Sequence, residues 1–373
     1  MKTMGIIFSN IYDSSLGELT NHRTVASLPF GGRYRQIDFV LSNMSNSSIY
    51  NIGIITKHNY RSLMDHLGSA SDWDLNRKNE NLAIIPPFAS GNMHGMYKGK
   101  LEALYSALGF LDNPNYDYVV VSDSTVLCNI DYRDAVDTHI KSGADITIIA
   151  NSSSVENEKN RKHPLIVKAK KGLATELIID AAASKGSLIG MGMFVFSRKL
   201  LVEVVEDSYK KGFVHLERDF IQKRFNEGKL KIGIYEFKDV VLRNENINTY
   251  FSNNMKLFEE NVRKGLFKKE RPIYTKIRDE APTDYREGSL VSNCIVADGC
   301  VISGNVSDSV LFRSVKVKEG ANIKNCIVMQ GTTIGKNAQL DCVILDKNVT
   351  VSDGAVLKGT PKHCVIIRKG EIV

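Results

Sequence analysis

No apolar run in this sequence approaches the ~18 residues that a membrane-spanning helix needs, so no membrane partner is expected. Nor does a charged and apolar leader precede the first strand-like segment; no signal peptide is expected, and the expected location is the cytoplasm. The six cysteines, Cys128, Cys294, Cys300, Cys326, Cys342 and Cys364, include no Cys-x-x-Cys pair. That spacing counts against a zinc site and favours buried free thiols. There is also no basic tail and no aromatic-basic recognition motif. The net charge of +7 comes from lysines and arginines scattered among acids. Nucleic acid is therefore not expected as a partner, whereas an anionic small molecule would account for a local arginine cluster. Glycine is missing from one telling place. The apolar run Gly5 to Phe8 leads into Ser9-Asn10-Ile11-Tyr12-Asp13-Ser14-Ser15, with no glycine before Gly17. A strand that feeds a nucleotide-binding loop has this layout, yet this loop is filled with side chains.

What is present describes a globular protein. Hydrophobic residues make up 43% and charged residues 24% of 373, enough for one large or two ordinary domains. Up to about residue 250, strand-like and helix-like segments alternate. "YDYVVVSD" and "ADITIIA" read as strands. "IDFVLSNMSNSS", "DYRDAVDTHIKSG" and a segment from Tyr60 to Leu67 read as helices. In "KLEALYSALGFL", Leu101, Leu104, Leu108 and Leu111 fall on one helical face. Such alternation predicts a parallel sheet covered on both faces, with ligands beyond the strand ends after Phe8 and Val121.

A helix carrying Tyr250, Met255, Leu257 and Phe258 then enters a charged connector. From Ser289 the texture changes to short β-branched runs between small turns. Gly299, Asn305, Gly320, Asn337, Asn348 and Gly354 recur before small apolar residues. Val317 and Ile323, Ile334 and Leu340, and Leu345 and Val351 are each six apart. Gly and Asn tolerate left-handed turns, and a six-residue step is one side of a triangular coil. This pattern predicts a parallel β-helix of hexapeptide repeats, with Cys294, Cys326 and Cys342 stacked inside it. The division is thus 1–250, an α/β domain; 251–288, linker helix and connector; and 289–373, the β-helix.

"PFGGRYRQIDFVLSNMSNSSI" resembles the signature of bacterial glucose-1-phosphate adenylyltransferases, and "KGKLEALYSAL", "GMGMFVFSRKLL" and "NINTYFSNNMKLF" follow that family in order and spacing. The resemblance implies a Rossmann-like nucleotidyltransferase domain, with a mixed, mostly parallel sheet, followed by a left-handed β-helix. The departures fall on the chemistry. Where the family has a Gly-Gly-x-Gly-x-Arg phosphate loop, this chain has Asn10, Ile11, Asp13 and Ser15. A β-branched side chain obstructs phosphate approach to backbone amides, and a carboxylate repels it. Val25 stands in place of a charge-neutralising lysine. Thr125 and Arg243 stand in place of two aspartates that would hold Mg²⁺. Tyr97 is retained, its acidic partner is Glu102, and Asp123 lies two residues from Thr125, giving at most a residual substrate pocket.

His22, Arg23, Arg33 and Arg35 align with a segment that binds phosphorylated effectors in the family, and arginine forks suit phosphate. The alternative for Arg33 and Arg35 is pairing with acids such as Asp38. Taken together, the resemblance is to the non-catalytic, GlgD-type subunit, with no cofactor of its own. Its implied partner is a catalytic subunit that uses Mg²⁺ to make ADP-glucose and pyrophosphate from ATP and glucose 1-phosphate, in a heterotetramer for glycogen synthesis. Two rival readings stay open. One is an active transferase using displaced residues, Asp123 for the metal and Arg243 for a phosphate. The other is a hexapeptide acyltransferase, for which the repeat region offers only His363.

Overall fold

The computed structural model describes residues 1–10, 13–78, 80–87, 96–152, 164–180 and 186–373. Its first part is built on a sheet of nine strands. In chain order these are β1 (Thr3–Phe8), β2 (Ile52–Ile55), β3 (Leu82–Ile85), β4 (Tyr118–Asp123), β5 (Ile146–Asn151), β6 (Leu165–Lys170), β7 (Leu173–Ile179), β8 (Leu188–Ser197) and β9 (Ile232–Glu236). Their spatial order is β3-β2-β1-β4-β8-β5-β9-β7-β6. Strands β3, β2, β1 and β4 pair in parallel, as do β5 and β9; β8 and β7 run against their neighbours. The sheet is mixed, with most strands in one direction, as expected.

The near-continuous apolar runs in β1 and β4 reflect cover on both faces. One face packs against a cluster containing Leu101, Leu104, Leu111 and Leu201, the other against one containing Ile37, Val40, Leu41 and Tyr132. The helix expected through "KLEALYSALGFL" is two short ones, Lys100–Ser106 and Leu108–Leu111, broken at Ala107. Leu101, Leu104 and Leu111 are still buried, because both pieces face the same core.

Helices Ile247–Met255 and Glu260–Leu266 close this part, and the first strand beyond the connector is Asp284–Tyr285. From there three five-stranded parallel sheets stack into a β-helix. Ile302, Val317, Ile334 and Val351 share one face position in successive coils; Val306, Ile323, Leu340 and Leu357 share the next. The later coils take seventeen residues each, as Val317, Ile334 and Val351 show. All six members of the hexapeptide-spaced pairs are buried.

Two details depart from expectation. Asn305 lies in a strand, whereas Gly299, Gly320, Asn337, Asn348 and Gly354 hold the left-handed corners, with φ from 57° to 76°. Cys342 does not join a cysteine stack. Asp341 still pairs with Lys324 in its strand, so Cys342 takes the corner filled in earlier coils by Asn293, Asp308 and Asn325, with φ of 48–54° for all four. Cys326 is interior, and Val343 occupies the place below it.

The two parts share one core. Leu16, Leu19, Val25, Leu28, Phe30 and Phe39 pack with Val310, Phe312, Ile327, Met329 and Ile344 from one face of the β-helix. The hairpin that joins Phe30 to Tyr34 makes this contact. Its turn uses Gly31 at φ +59° and Gly32 at φ +83°, and a Cβ on Gly32 would come within 3.2 Å of Ile295. The Gly-Gly step lets the hairpin press onto the β-helix and aims Arg33 and Arg35 between the two parts.

Candidate functional site

Two regions gather the residues singled out from the sequence. The first lies at the carboxyl ends of β1 and β4, beside the amino-terminal half of the antiparallel β8. The chain leaving β1 is tied down by its own side chains. Asn10 Oδ1 accepts from the Lys57 amide at 3.0 Å, and its Nδ2 donates to the His58 carbonyl at 3.2 Å. Asp13 is buried; its Oδ1 accepts from the Val25 amide at 2.8 Å and its Oδ2 from Asn10 Nδ2. Burial raises the Asp13 carboxyl, against the lowering effect of these hydrogen bonds. His58 Nε2 lies 3.6 Å from it. A buried carboxylate thus stands where the family has a loop glycine, and it closes the turn onto the amide of Val25. Ser15 is half-buried in the turn that follows, the Val25 side chain is fully buried in the shared core, and Ile11 lies outside the described residues.

Asp123, at the end of β4, is held by the Lys100 ammonium: Nζ is 3.0 Å from Asp123 Oδ2 and 2.5 Å from Glu217 Oε1. Asp123 Oδ1 has no hydrogen-bond partner, and burial, opposed by Lys100, pushes the carboxyl up to about 6. Thr125 is buried, with an unpartnered hydroxyl and a carbonyl that accepts from the Asn244 amide at 2.9 Å. Arg243 donates to Asn151 Oδ1 at 2.6 Å and to the Gly190 carbonyl at 3.4 Å, tying β5 to β8. Tyr97 is buried with the Lys57 ammonium over its ring, and burial raises its hydroxyl. Glu102 accepts from the Lys98 amide at the start of its own helix.

The Mg²⁺ implied by the family resemblance does not fit these residues. Thr125 and Arg243 bring no carboxylate, and the Lys100 ammonium already bridges Asp123 and Glu217. Among the described residues, no group of three or more His, Cys, Asp or Glu could hold a metal.

The second region is a cleft between the hairpin and the β-helix. Arg33, Arg35, His66, Arg278, Arg313, Gln330 and Lys347 line it, and among the described residues no carboxylate does. Of the four residues expected at an effector site, only Arg33 and Arg35 are there. Arg23 is buried instead in a two-pronged pair with Asp346 of the β-helix, 2.7 and 3.0 Å. His22 is exposed and is not among the lining residues. Asp38 is used otherwise than the pairing alternative held: it accepts from the Arg35 amide at 2.9 Å and pairs with His66 Nε2 at 2.6 Å.

Burial lowers Arg35 to about 10 and drives Lys347 down to about 7, with the charges of Arg35 and Arg23 adding to the effect on Lys347. Arg313 is buried, and its Nε and Nη2 make no hydrogen bond. Cations held this closely, without counter-charge in the lining, favour an anion. Sequence reasoning missed Arg278, Arg313 and Lys347 because they lie more than 240 residues beyond the hairpin, among other basic residues of similar spacing. Among the described residues, no helix is long and apolar enough to cross a membrane.

The order of elements and the two sites define a class: a nucleotidyl transferase fold carrying a hexapeptide β-helix. Family models agree, "Nucleotidyl transferase" matching residues 5–240 and "GlmU-like, C-terminal hexapeptide" matching 280–363. The chain is 32% identical to "Glycogen biosynthesis protein GlgD" of Bacillus subtilis (strain 168), over 98% of this chain and 96% of that one. It is 35% identical to the protein of that name from Geobacillus stearothermophilus, over 100% and 97%. With "Glucose-1-phosphate adenylyltransferase" of Bacillus subtilis (strain 168) the identity is 31%, over 82% and 80%. The chain belongs to the glucose-1-phosphate adenylyltransferase family, in its GlgD branch.

Proposed function

We propose that this chain acts in bacterial glycogen biosynthesis as a regulatory, catalytically degenerate subunit. Its partner is a catalytic glucose-1-phosphate adenylyltransferase subunit, which supplies the Mg²⁺-dependent chemistry in a heterotetramer. The observation that carries this reading is the buried Asp13 carboxylate, tied to the Val25 amide, in the loop where the family has bare glycine backbone for a triphosphate. The names borne by its relatives support the pathway. The rival that uses Asp123 and Arg243 for metal and phosphate is disfavoured, because Lys100 and Asn151 engage those groups. The cleft of Arg33, Arg35, Arg278, Arg313 and Lys347 is the site for a phosphorylated metabolite effector, with Arg23 acting behind it as a structural clamp.

Two assays test the reading. The chain alone, given ATP, Mg²⁺ and glucose 1-phosphate, should turn over at least about 10²–10³ times more slowly than the catalytic partner, the usual cost of losing even one charge-stabilising group. Turnover within tenfold of the partner overturns the proposal and favours the active-transferase rival. Co-expressed with the partner, the chain should co-purify in a mixed oligomer. It should shift kcat, KM or effector response several-fold, about 1–3 kcal/mol of coupling. Separate elution with unchanged partner kinetics removes the regulatory role.

A further inference from the structure

The Lys100 ammonium sits in a cage at the ends of β1 and β4, against the middle of β8. Two walls are carboxylates, Asp123 at 3.0 Å and Glu217 at 2.5 Å. Two more are aromatic rings, Phe8 from β1 and Phe194 from β8, with centroids 5.7 and 5.6 Å from Nζ. Rings and carboxylates together surround one positive charge and leave the side chain 7% exposed.

The surrounding chain is shaped to hold this arrangement. Gly99 packs so closely that a Cβ there would lie 2.3 Å from the Val214 carbonyl; this brings Lys100 beside the start of the helical segment Leu216–Gln222, which carries Glu217. Gly192 has φ +69°, and a Cβ on it would lie 2.2 Å from Asp123 Oδ2, so the carboxylate is pressed from the other side. Lys100 is also the first residue of its helix, the end at which a cation is least favoured. Helix stability therefore does not account for a lysine here; the carboxylates do.

We infer that Lys100 is a built-in replacement for a metal cation, so that this chain's site neither needs nor binds a divalent ion. A divalent ion binds through carboxylate oxygens at about 2.0–2.6 Å, and the ammonium already lies against the oxygens it would use. Charge balance at the strand ends is covalently fixed instead of depending on solution metal. In a mixed oligomer, the metal requirement would then belong to the partner's sites alone. The inference concerns the isolated chain and stands or falls independently of the regulatory reading.

The test is Mn²⁺ binding, read by water-proton relaxation and by thermal unfolding of the full chain. The wild type should show neither an enhancement nor a rise in Tm. Lys100→Met keeps the length of the side chain and removes the charge, leaving Asp123 and Glu217 unpaired. It should unfold at lower temperature than wild type and recover at least about 3 °C in about 10 mM Mn²⁺, as ligand linkage requires. If it folds only with Mn²⁺ present, that is the same result in stronger form.

Lys100→Met/Asp123→Asn should fold without metal and show no metal response. Mn²⁺ bound at this site by the wild type overturns the inference. So does a Lys100→Met chain that is unresponsive to Mn²⁺, or that stays unfolded in Mn²⁺ while the double variant folds.

Discussion

Lys347 is a lysine whose charge is in play near neutrality. Half-buried beside Arg35 and Arg23, its ammonium is pushed down to about 7 from an ordinary value of 10.5. Above pH 7 the empty cleft holds it neutral, and a bound anion would restore its charge by drawing in a proton. Affinity should therefore fall as pH rises, by up to about tenfold per unit above pH 7. Sulfate, whose own charge is constant over this range, is the clean probe in calorimetry. Lys347→Met should weaken binding and flatten the profile; a profile unchanged by that substitution would remove Lys347 from the site.

Val25 shows the converse case. Its side chain is fully buried among Leu16, Leu28 and Phe30, so Val25→Lys would bury an ammonium among apolar groups. It should cost several kcal/mol in urea unfolding and restore no activity, since a buried unpaired charge is far costlier than any single contact returned. At this scale the sequence could name the positions that depart from the family, because each is registered on a neighbouring motif. It was silent on what replaced them. Lys100 meets Glu217 across 117 residues, and no local spacing encodes that meeting.

Elements were more legible, and the exceptions have local causes. Coil periodicity survives in the sequence because each interior position admits only small or branched apolar residues. The corners are looser. Asn-Cys at 325–326 and Asp-Cys at 341–342 look alike, yet the strand ending at Asp341 places its cysteine one step earlier on the coil. The break at Ala107 was hidden because its leucines keep helical spacing across it. Corners nevertheless carry real energetic weight. Gly320 has φ +73°, and a Cβ on it would lie 2.1 Å from Asn337 Oδ1. Gly320→Ala should therefore cost at least about 1–2 kcal/mol, the usual penalty for a left-handed residue with a Cβ. A shift of the urea midpoint at unchanged slope is the expected readout; an unshifted midpoint would mean that the coil relaxes freely.

At the scale of the molecule, Arg23 and Asp346 join the two parts through a buried pair. Removing one partner of such a pair typically costs about 3–5 kcal/mol, because the other charge is left stranded. Arg23→Met should show that loss in urea unfolding, and Arg23→Met/Asp346→Leu should recover most of it. It should also weaken sulfate binding in the cleft without Arg23 touching the anion, because the clamp sets the spacing of Arg35 and Lys347. If the single variant is as stable as wild type, the pair does not hold the parts together. The sequence grouped Arg23 with Arg33 and Arg35 but could not show its pairing with Asp346, which lies 323 residues away.

That separation also has a meaning in time. A chain leaving the ribosome at about 5–20 residues per second exposes Arg23 roughly half a minute before Asp346 is made. Throughout that interval the apolar face around Leu28, Phe30 and Phe39 has no β-helix to cover it. The newborn first domain is thus a sticky, half-finished body, and any truncated product remains one. The coils carrying Val310, Ile327 and Ile344 are the seal that closes this face once they are made.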